Sequence, residues 1–322
     1  GSVFGVLLVI LLVCLIVFIL LRRPELIRSY VTSFLLFCLP RAISVEAFAE
    51  HFRQLSLDDN RGFSAEYESL IPVGTEQTRK AALLPENKPK NRFNNVLPYD
   101  WCRVKLTTTT SAGISDYINA NYMPGYNTRR EYIATQGPLP STVNDFWRMV
   151  WEQNVRGVVM VTNCTEGGRT KCEQYWPADS NPRLCGDLLV TTRSEEQAPN
   201  WTLRQFSVKD NTLCRRVRHL HFTSWPDHGV PQCTKVLIQF RGLLRHHIET
   251  EGTEAPTVVH CSAGVGRTGT IIALDVLLQQ LEKKGSVNIN GFVHQMRLSR
   301  PHMVQTESQY VFLHQSCQRL SV

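Results

Sequence analysis

Hydrophobic and polar positions follow two regimes along this chain. From residue 3 to residue 21 no charged or strongly polar side chain interrupts an apolar run. At a rise of about 1.5 Å per residue, such a run crosses a hydrocarbon core of roughly 30 Å, so it predicts one transmembrane helix. Arg22 and Arg23 follow at once and no basic residue precedes the run. The positive-inside rule then places everything after it on the cytoplasmic side. A secretory signal would need a basic leading region, a shorter apolar run and a small-residue cleavage site. Residues 22–44 read as a juxtamembrane segment. Its apolar patch at 34–39, closed by Pro40, is too short to span and predicts a helix lying against lipid or against the domain. Span and flank are also candidate surfaces for dimerisation. The chain opens on Gly1-Ser2 rather than Met, which reads as a shortened form without its extracellular part.

From residue 45 to residue 322 the pattern is globular, with no repeat and no low-complexity linker. Residues 45–52 have helical apolar spacing, and Asp58-Asp59-Asn60 predicts a turn. Residues 75–92 are polar and basic and predict an exposed loop. Short strand-like runs follow at 116–119, 132–135 and 157–162, with a helical run at 146–151 between the last two. Further strands are expected at 188–192, 201–208 and 218–223. A helix at 235–249, a strand at 257–260 and a helix at 268–284 close the pattern. This mixture predicts an α/β (α+β) domain, a twisted mixed β-sheet flanked by helices, as one unit over 45–322.

Composition removes several function classes. The chain has 322 residues, 43% hydrophobic and 20% charged, which excludes a disordered protein. Of its formal net charge of +7, three units come from residues 1–45, where Arg22, Arg23, Arg28 and Arg41 outnumber Glu25. The rest is too mild, and too free of basic stripes, for nucleic acid as a partner. The ten cysteines include no C-x-x-C pair and no zinc-like spacing, so no metal site is expected and the thiols should stay reduced in a cytoplasmic domain. The sequons at Asn163 and Asn200 would then remain unmodified.

The chemistry concentrates in His260-Cys261-Ser262-Ala263-Gly264-Val265-Gly266-Arg267-Thr268-Gly269, between the strand at 257–260 and the helix at 268–284. Residues 264–269 match G-x-G-x-x-G, yet Asp275 is too near to serve as the ribose-binding acid and Glu282 falls in the same helix, which weakens a dinucleotide site. A loop of small residues at a helix N-terminus instead points successive N–H groups inward and forms an anion nest. Arg267 can grip two phosphate oxygens, and the positive field favours the thiolate of Cys261. A thiolate beneath a phosphoryl group is placed for in-line attack, then hydrolysis of the phosphocysteine.

With Lys90-Asn91-Arg92-Phe93, Asp116-Tyr117-Ile118-Asn119-Ala120, Thr135-Gln136-Gly137-Pro138, Trp225-Pro226-Asp227-His228-Gly229 and Gln305-Thr306-Glu307-Ser308-Gln309-Tyr310, the sequence resembles the cysteine-dependent protein tyrosine phosphatases. The single span and lone catalytic domain resemble the receptor-type group with fibronectin-like ectodomains. The resemblance implies a plasma-membrane, single-pass enzyme that acts on phosphotyrosine proteins without cofactor or metal. In it Cys261 is the nucleophile, Arg267 the phosphate clamp, Asp227 the general acid and later base, and Gln305 the residue that positions water. Ser262, Ala263, Gly264, Val265 and Gly266 supply the phosphate-binding backbone. His260, Thr268 and Gln309 support the site, Glu166 holds Arg267, and Lys171 stands near the acid loop.

Three positions depart from the family pattern. Phe93 replaces a tyrosine but keeps the aromatic wall for the substrate ring. Asn95 replaces an aspartate that anchors the substrate backbone, and His228 replaces an aromatic residue. Thr306 and Gln309 also fit a capping box at a helix start. Two alternatives remain at this level: a phosphotyrosine-binding module with little turnover, and a broader phosphatase for phosphoserine or phosphoinositides.

Overall fold

The computed structural model describes residues 42–107, 115–227, 229–252 and 254–321. The apolar run at 3–21, the patch at 34–39, the dimerisation expected through them, and His228 all lie outside the described residues. Among the described residues no helix is long and apolar enough to cross a membrane.

The first described elements are β1 (Ile43–Ser44), α1 (Val45–Leu55), α2 (Leu57–Ser69) and α3 (Lys80–Leu83). Strands β2 (Arg103–Lys105), β3 (Tyr117–Met123) and β4 (Tyr132–Thr135) lead to α4 (Val143–Glu152) and β5 (Gly157–Met160). A small hairpin, β6 (Thr165–Glu166) and β7 (Arg169–Thr170), precedes β8 (Arg183–Cys185), β9 (Leu188–Gln197), β10 (Trp201–Lys209) and β11 (Cys214–Phe222). Then come α5 (Thr234–Glu251), β12 (Thr257–His260), α6 (Gly266–Lys284), β13 (Ser286–Val287), α7 (Ile289–Ser299) and α8 (Glu307–Ser321).

Among the described residues nine strands form one mixed sheet in the order β2-β3-β4-β12-β5-β11-β10-β9-β8. Its centre is parallel, β4 with β12, β12 with β5 and β5 with β11, while both wings are antiparallel. Side chains of a strand alternate between faces, and the central strands use both. Val158 and Val258 point into one apolar cluster with Phe146 and Trp147 of α4. Val159 and Val259 point into the other, built with α5, α6 and α8. Burial on both faces explains why these runs read as continuous apolar stretches.

The expected sheet flanked by helices is therefore present, with local differences. Asp58, Asp59 and Asn60 make the expected turn with left-handed φ values of 51°, 58° and 65°, a conformation Asp and Asn tolerate better than most residues. Residues 75–92 are not a plain exposed loop: they contain α3 and a 3-10 turn, and Ala82 and Asn87 are buried. Strands β9 and β11 are longer than their apolar cores suggested: β10 pairs along its length with both, and the added residues 193–197 of β9 and Cys214 and Arg216 of β11 are exposed. Ile43 and Ser44, read from sequence as flank, pair with Val287 and Ser286, and the Ser44 hydroxyl accepts from Ala47 N at 3.3 Å to cap α1. Asp275, set aside above as a ribose ligand, is fully buried under Arg241 (2.8 Å) and Arg245 (3.0 Å) and ties α5 to α6.

Candidate active site

The parallel strands β12 and β5 both end at the same edge of the sheet, and the candidate residues gather there. Strand β12 delivers His260 and then Cys261, which is 5% exposed. The chain turns through residues 262–265 into α6. Val265, at the N-cap position, makes no side-chain capping bond, so the N–H groups of the first helical turn are left for an anion. Gly264 N–H donates to Cys261 Sγ at 3.3 Å. Gly264 has φ +73°, and a Cβ there would sit 2.1 Å from Thr135 O, so only glycine fits.

Arg267 leaves the first turn of α6 and meets Glu166 at the end of β6. Its two terminal nitrogens donate to the two carboxylate oxygens at 2.7 and 2.9 Å, a bidentate fork that fixes the plane of the guanidinium. Burial works to raise the Glu166 carboxyl, but the Arg267 fork and the bonds from Asn163 N and Thr162 Oγ1 together hold it below the usual range. Arg267 also donates to Pro226 O at 3.1 Å and lies 5.6 Å from the centre of the Trp225 ring.

His260 is fully buried, and that burial lowers its pKa to about 4, so the ring is neutral at physiological pH. A neutral ring carries one N–H. Nδ1 lies 3.1 Å from Cys261 O and must donate, which leaves Nε2 to accept from the Tyr175 hydroxyl at 2.8 Å. The Tyr175 oxygen then accepts from His219 Nε2, also at 2.8 Å. His260 is thus a neutral anchor for the nucleophile's carbonyl and adds no charge to the nest. Nothing in the sequence pointed to Tyr175 or His219.

Arg300 was also missed. It is fully buried, donating to Gly264 O at 2.8 Å and Ala263 O at 3.1 Å, and to Asn119 Oδ1 and Asn121 Oδ1 at 2.8 and 3.0 Å. With two carbonyls of the loop pulled toward α7, the loop's N–H groups are held on the opposite, cleft side. Arg297, one turn earlier, binds the carbonyls of Met303 and Val304. Val304 has φ +59°, costly for a β-branched residue, and this held turn delivers Gln305. Gln305 N and Thr306 N both donate to Gln309 Oε1, while Gln309 N donates to Thr306 Oγ1 at 3.3 Å. The expected capping box at the start of α8 is present.

These segments enclose a cleft of about 430 Å³ lined by Cys261, Arg267, Phe93, Asn95, Lys171 and Gln305, among others. Ser262, Ala263, Gly266, Glu166 and Gln309 line it as well. Val265 is buried beneath, and Thr268 is buried with its hydroxyl unpartnered among the described residues. Phe93 is 41% exposed at the mouth. Its strand of chain is strapped to the nucleophile loop: Arg92 N donates to Gln136 Oε1, Arg92 to Gly137 O and Pro138 O, and Gly137 N to Ser262 O. Asp227 is not brought to the cleft. It is exposed, beside Gly167, on a loop anchored by buried Trp225, whose Nε1 donates to Gly229 O at 3.2 Å.

Fold and cleft set a cysteine and a carboxylate-paired arginine around the start of one helix, at the carboxyl edge of the sheet. The family model for protein-tyrosine phosphatase matches residues 87–319. Human receptor-type tyrosine-protein phosphatase eta is 53% identical over 277 residues, 85% of this chain and 21% of that protein. Human receptor-type tyrosine-protein phosphatase H is 52% identical over 285 residues, 87% of this chain and 25% of that protein. The human phosphatidylinositol phosphatase PTPRQ is 45% identical over 278 residues, 86% of this chain and 12% of that protein. The chain belongs to the protein-tyrosine phosphatase family. It spans a quarter or less of the length of these relatives.

Proposed function

We propose that this chain hydrolyses phosphotyrosine in proteins through a phosphocysteine intermediate. The observation that carries the reading is the nest around Cys261: Gly264 N–H on the sulfur, uncapped N–H groups at the start of α6, and Arg267 aligned by Glu166. A phosphate dianion seated there is held by the backbone and by Arg267, with the sulfur beneath the phosphorus. Cys261 attacks in line: the S–P bond forms, the P–O bond to the phenol breaks, and Asp227 gives its proton to the leaving phenolate. Asp227 reaches that oxygen only if the loop after β11 swings toward the cleft from its present exposed position. Water placed by Gln305 then attacks phosphorus, Asp227 takes its proton, and the thiolate leaves. Acid–base assistance of this kind contributes about 10²–10⁴-fold.

Phe93 at the cleft mouth supports an aryl substrate, since its ring face stacks on the phenyl group whether or not a hydroxyl is present. Asn95 offers hydrogen bonds to the substrate backbone without an aspartate's charge. Phosphoinositide is the second reading, favoured by the likeness to a relative named for that activity. In the wider protein we place residues 3–21 as a single span and 22–44 as its flank, with the catalytic unit in the cytoplasm at the plasma membrane and a fibronectin-like ectodomain beyond the span. The test is Cys261→Ser, which should abolish turnover of a phosphotyrosine peptide while binding persists; normal turnover in that variant ends the mechanism. Comparing kcat/KM on phosphotyrosine and phosphoserine peptides and on phosphoinositide decides the substrate class.

A further inference from the structure

A second cleft, of about 680 Å³, lies between the β10–β11 face and the end of α5. No residue lines both it and the catalytic cleft. Arg216 and Arg218 are two apart on β11 and so share one face of the sheet. The register sets Ser207 and Gln205 of β10 opposite them, with Ser194 of β9 beside Gln205. Arg218 N donates to Arg156 O at 2.8 Å, which brings Arg156, just ahead of β5, to the same edge. His246 and Thr250 of α5 form the other wall.

The arginines of this cleft divide into two kinds. Arg215 lies 3.9 Å over the Trp151 ring and donates to Trp151 O, and Arg204 pairs with Glu195 at 2.6 Å. Among the described residues Arg156, Arg216 and Arg218 have no ion pair, although Glu196 and Glu251 line the same cleft. Gathering unpaired like charges on a concave wall works against folding and focuses a positive potential there. A merely solvated basic face would spread them over convex surface. The planar guanidinium fork matches phosphate oxygens, and three forks along one wall can engage more than one phosphate group. The volume falls within the roughly 300–1,000 Å³ of small-ligand sites.

Topology separates this cleft from the catalytic one. Strand β5 begins beside Arg156 and ends just before Thr162 and Glu166 of the catalytic cleft. Strand β11 carries Arg216 and Arg218 near its start and leads out at its other end to Trp225 and Asp227. We propose that the basic cleft is a second anion site that takes a compact ligand bearing two or more phosphate groups, either free or as a lipid headgroup. It does not depend on Cys261 chemistry.

The full 322-residue chain in neutral detergent is titrated calorimetrically with inositol hexakisphosphate, and separately with micelles of that detergent doped with a bisphosphorylated inositol lipid. Binding of at least one probe is expected at about 0.15 M salt, where long-range surface attraction is largely screened. Arg216→Gln with Arg218→Gln should weaken it by roughly tenfold or more, the size of losing charge-assisted bonds, and Arg156→Gln should weaken it independently. Turnover of a small aryl phosphate stays unchanged in these variants, and Arg267→Ala keeps the affinity. Preference for the soluble probe or the micelle identifies the source of the ligand. Failure of both probes to bind overturns the proposal, as does undiminished affinity in the arginine variants. Loss of binding in Arg267→Ala overturns it too, by assigning the anion to the catalytic nest.

Discussion

Arg300 gives the most discriminating prediction. Its guanidinium is fully buried and, among the described residues, has no carboxylate partner; burial lowers its pKa to about 10. A shift of that size corresponds to about 3 kcal/mol against the charged form. Because the folded pKa lies below the unfolded one, this cost is present in full at neutral pH and is relieved only as pH rises through about 10 toward the unfolded value. In Arg300→Met the cost disappears, but four acceptors are stranded, the carbonyls of Ala263 and Gly264 and the side-chain oxygens of Asn119 and Asn121, at about 1–3 kcal/mol each. The two effects oppose, so the net loss of stability should fall between about 1 and 9 kcal/mol. The kinetic effect has no such compensation. Freed carbonyls let the peptide planes of the loop rotate, and each misdirected donor to a phosphoryl transition state costs about 2.7–4 kcal/mol, or 10²–10³-fold. The expected result is a folded protein whose kcat/KM on a phosphotyrosine peptide falls by roughly that factor. Arg300→Lys should fall with it, because it keeps the charge and loses the fork. Unfolding followed by tryptophan fluorescence establishes that each variant is folded at the assay temperature. A folded Arg300→Met with kcat/KM within about threefold of the parent refutes the reasoning.

Three other outcomes follow from the same geometry. Asp227→Ala should lower kcat by about 10²–10⁴-fold on phosphotyrosine but much less on an aryl phosphate with an acidic leaving group; an equal loss on both contradicts the proton-donor role. Gly264→Ala must place a methyl 2.1 Å from Thr135 O at φ +73°, so kcat/KM should drop at least 100-fold by the donor arithmetic above, and near-parental activity would show that the loop has room. Glu166, with its pKa held below 4.5, stabilises the folded state fully above the unfolded value and loses that contribution as pH falls through the folded one. The stability gap between the parent and Glu166→Gln should therefore be constant above about pH 5 and shrink below it; a gap that stays flat to pH 3 counts against the ion pair.

The legible parts of this protein are those in which a local pattern carries the physics. The strand 257–260, the loop after it and the helix beyond were readable because an apolar run, small residues and a helix start are all contiguous. Phe93 and Gln305 became readable only through resemblance, and the cleft does bring them beside Cys261. Tyr175, His219 and Arg300 were not readable, since each acts through partners that only the fold brings near. The Tyr175 hydroxyl meets His260 across 85 residues, and Arg300 meets the Asn119 side chain across 181. Their role is to satisfy buried polar groups, which leaves no periodicity or spacing to detect. The helix at 289–299 went unassigned for a related reason: Arg297 is buried, and its charged letter hides the apolar face.

The two anion-directed clefts rest on different physics, and that difference separates them experimentally. The catalytic cleft lies beyond the carboxyl ends of β12, β5 and β11, the usual ligand edge of a parallel sheet. Most of its donors are backbone N–H groups and a helix terminus, fixed dipoles held in place by Arg300 from beneath, with Arg267 aligned by Glu166 and Lys171 on the same lining. The basic cleft lies toward the amino ends of β5 and β11, where among the described residues no helix starts, so its attraction rests on side-chain charges. A ligand held by several arginine contacts displaces more bound ions than one phosphate held mainly by backbone dipoles, so its affinity falls more steeply with salt. Raising salt should therefore release a polyphosphate from the Arg216 face well before it weakens phosphate competition at Cys261. Parallel salt dependence at the two clefts would mean that one nest binds both anions.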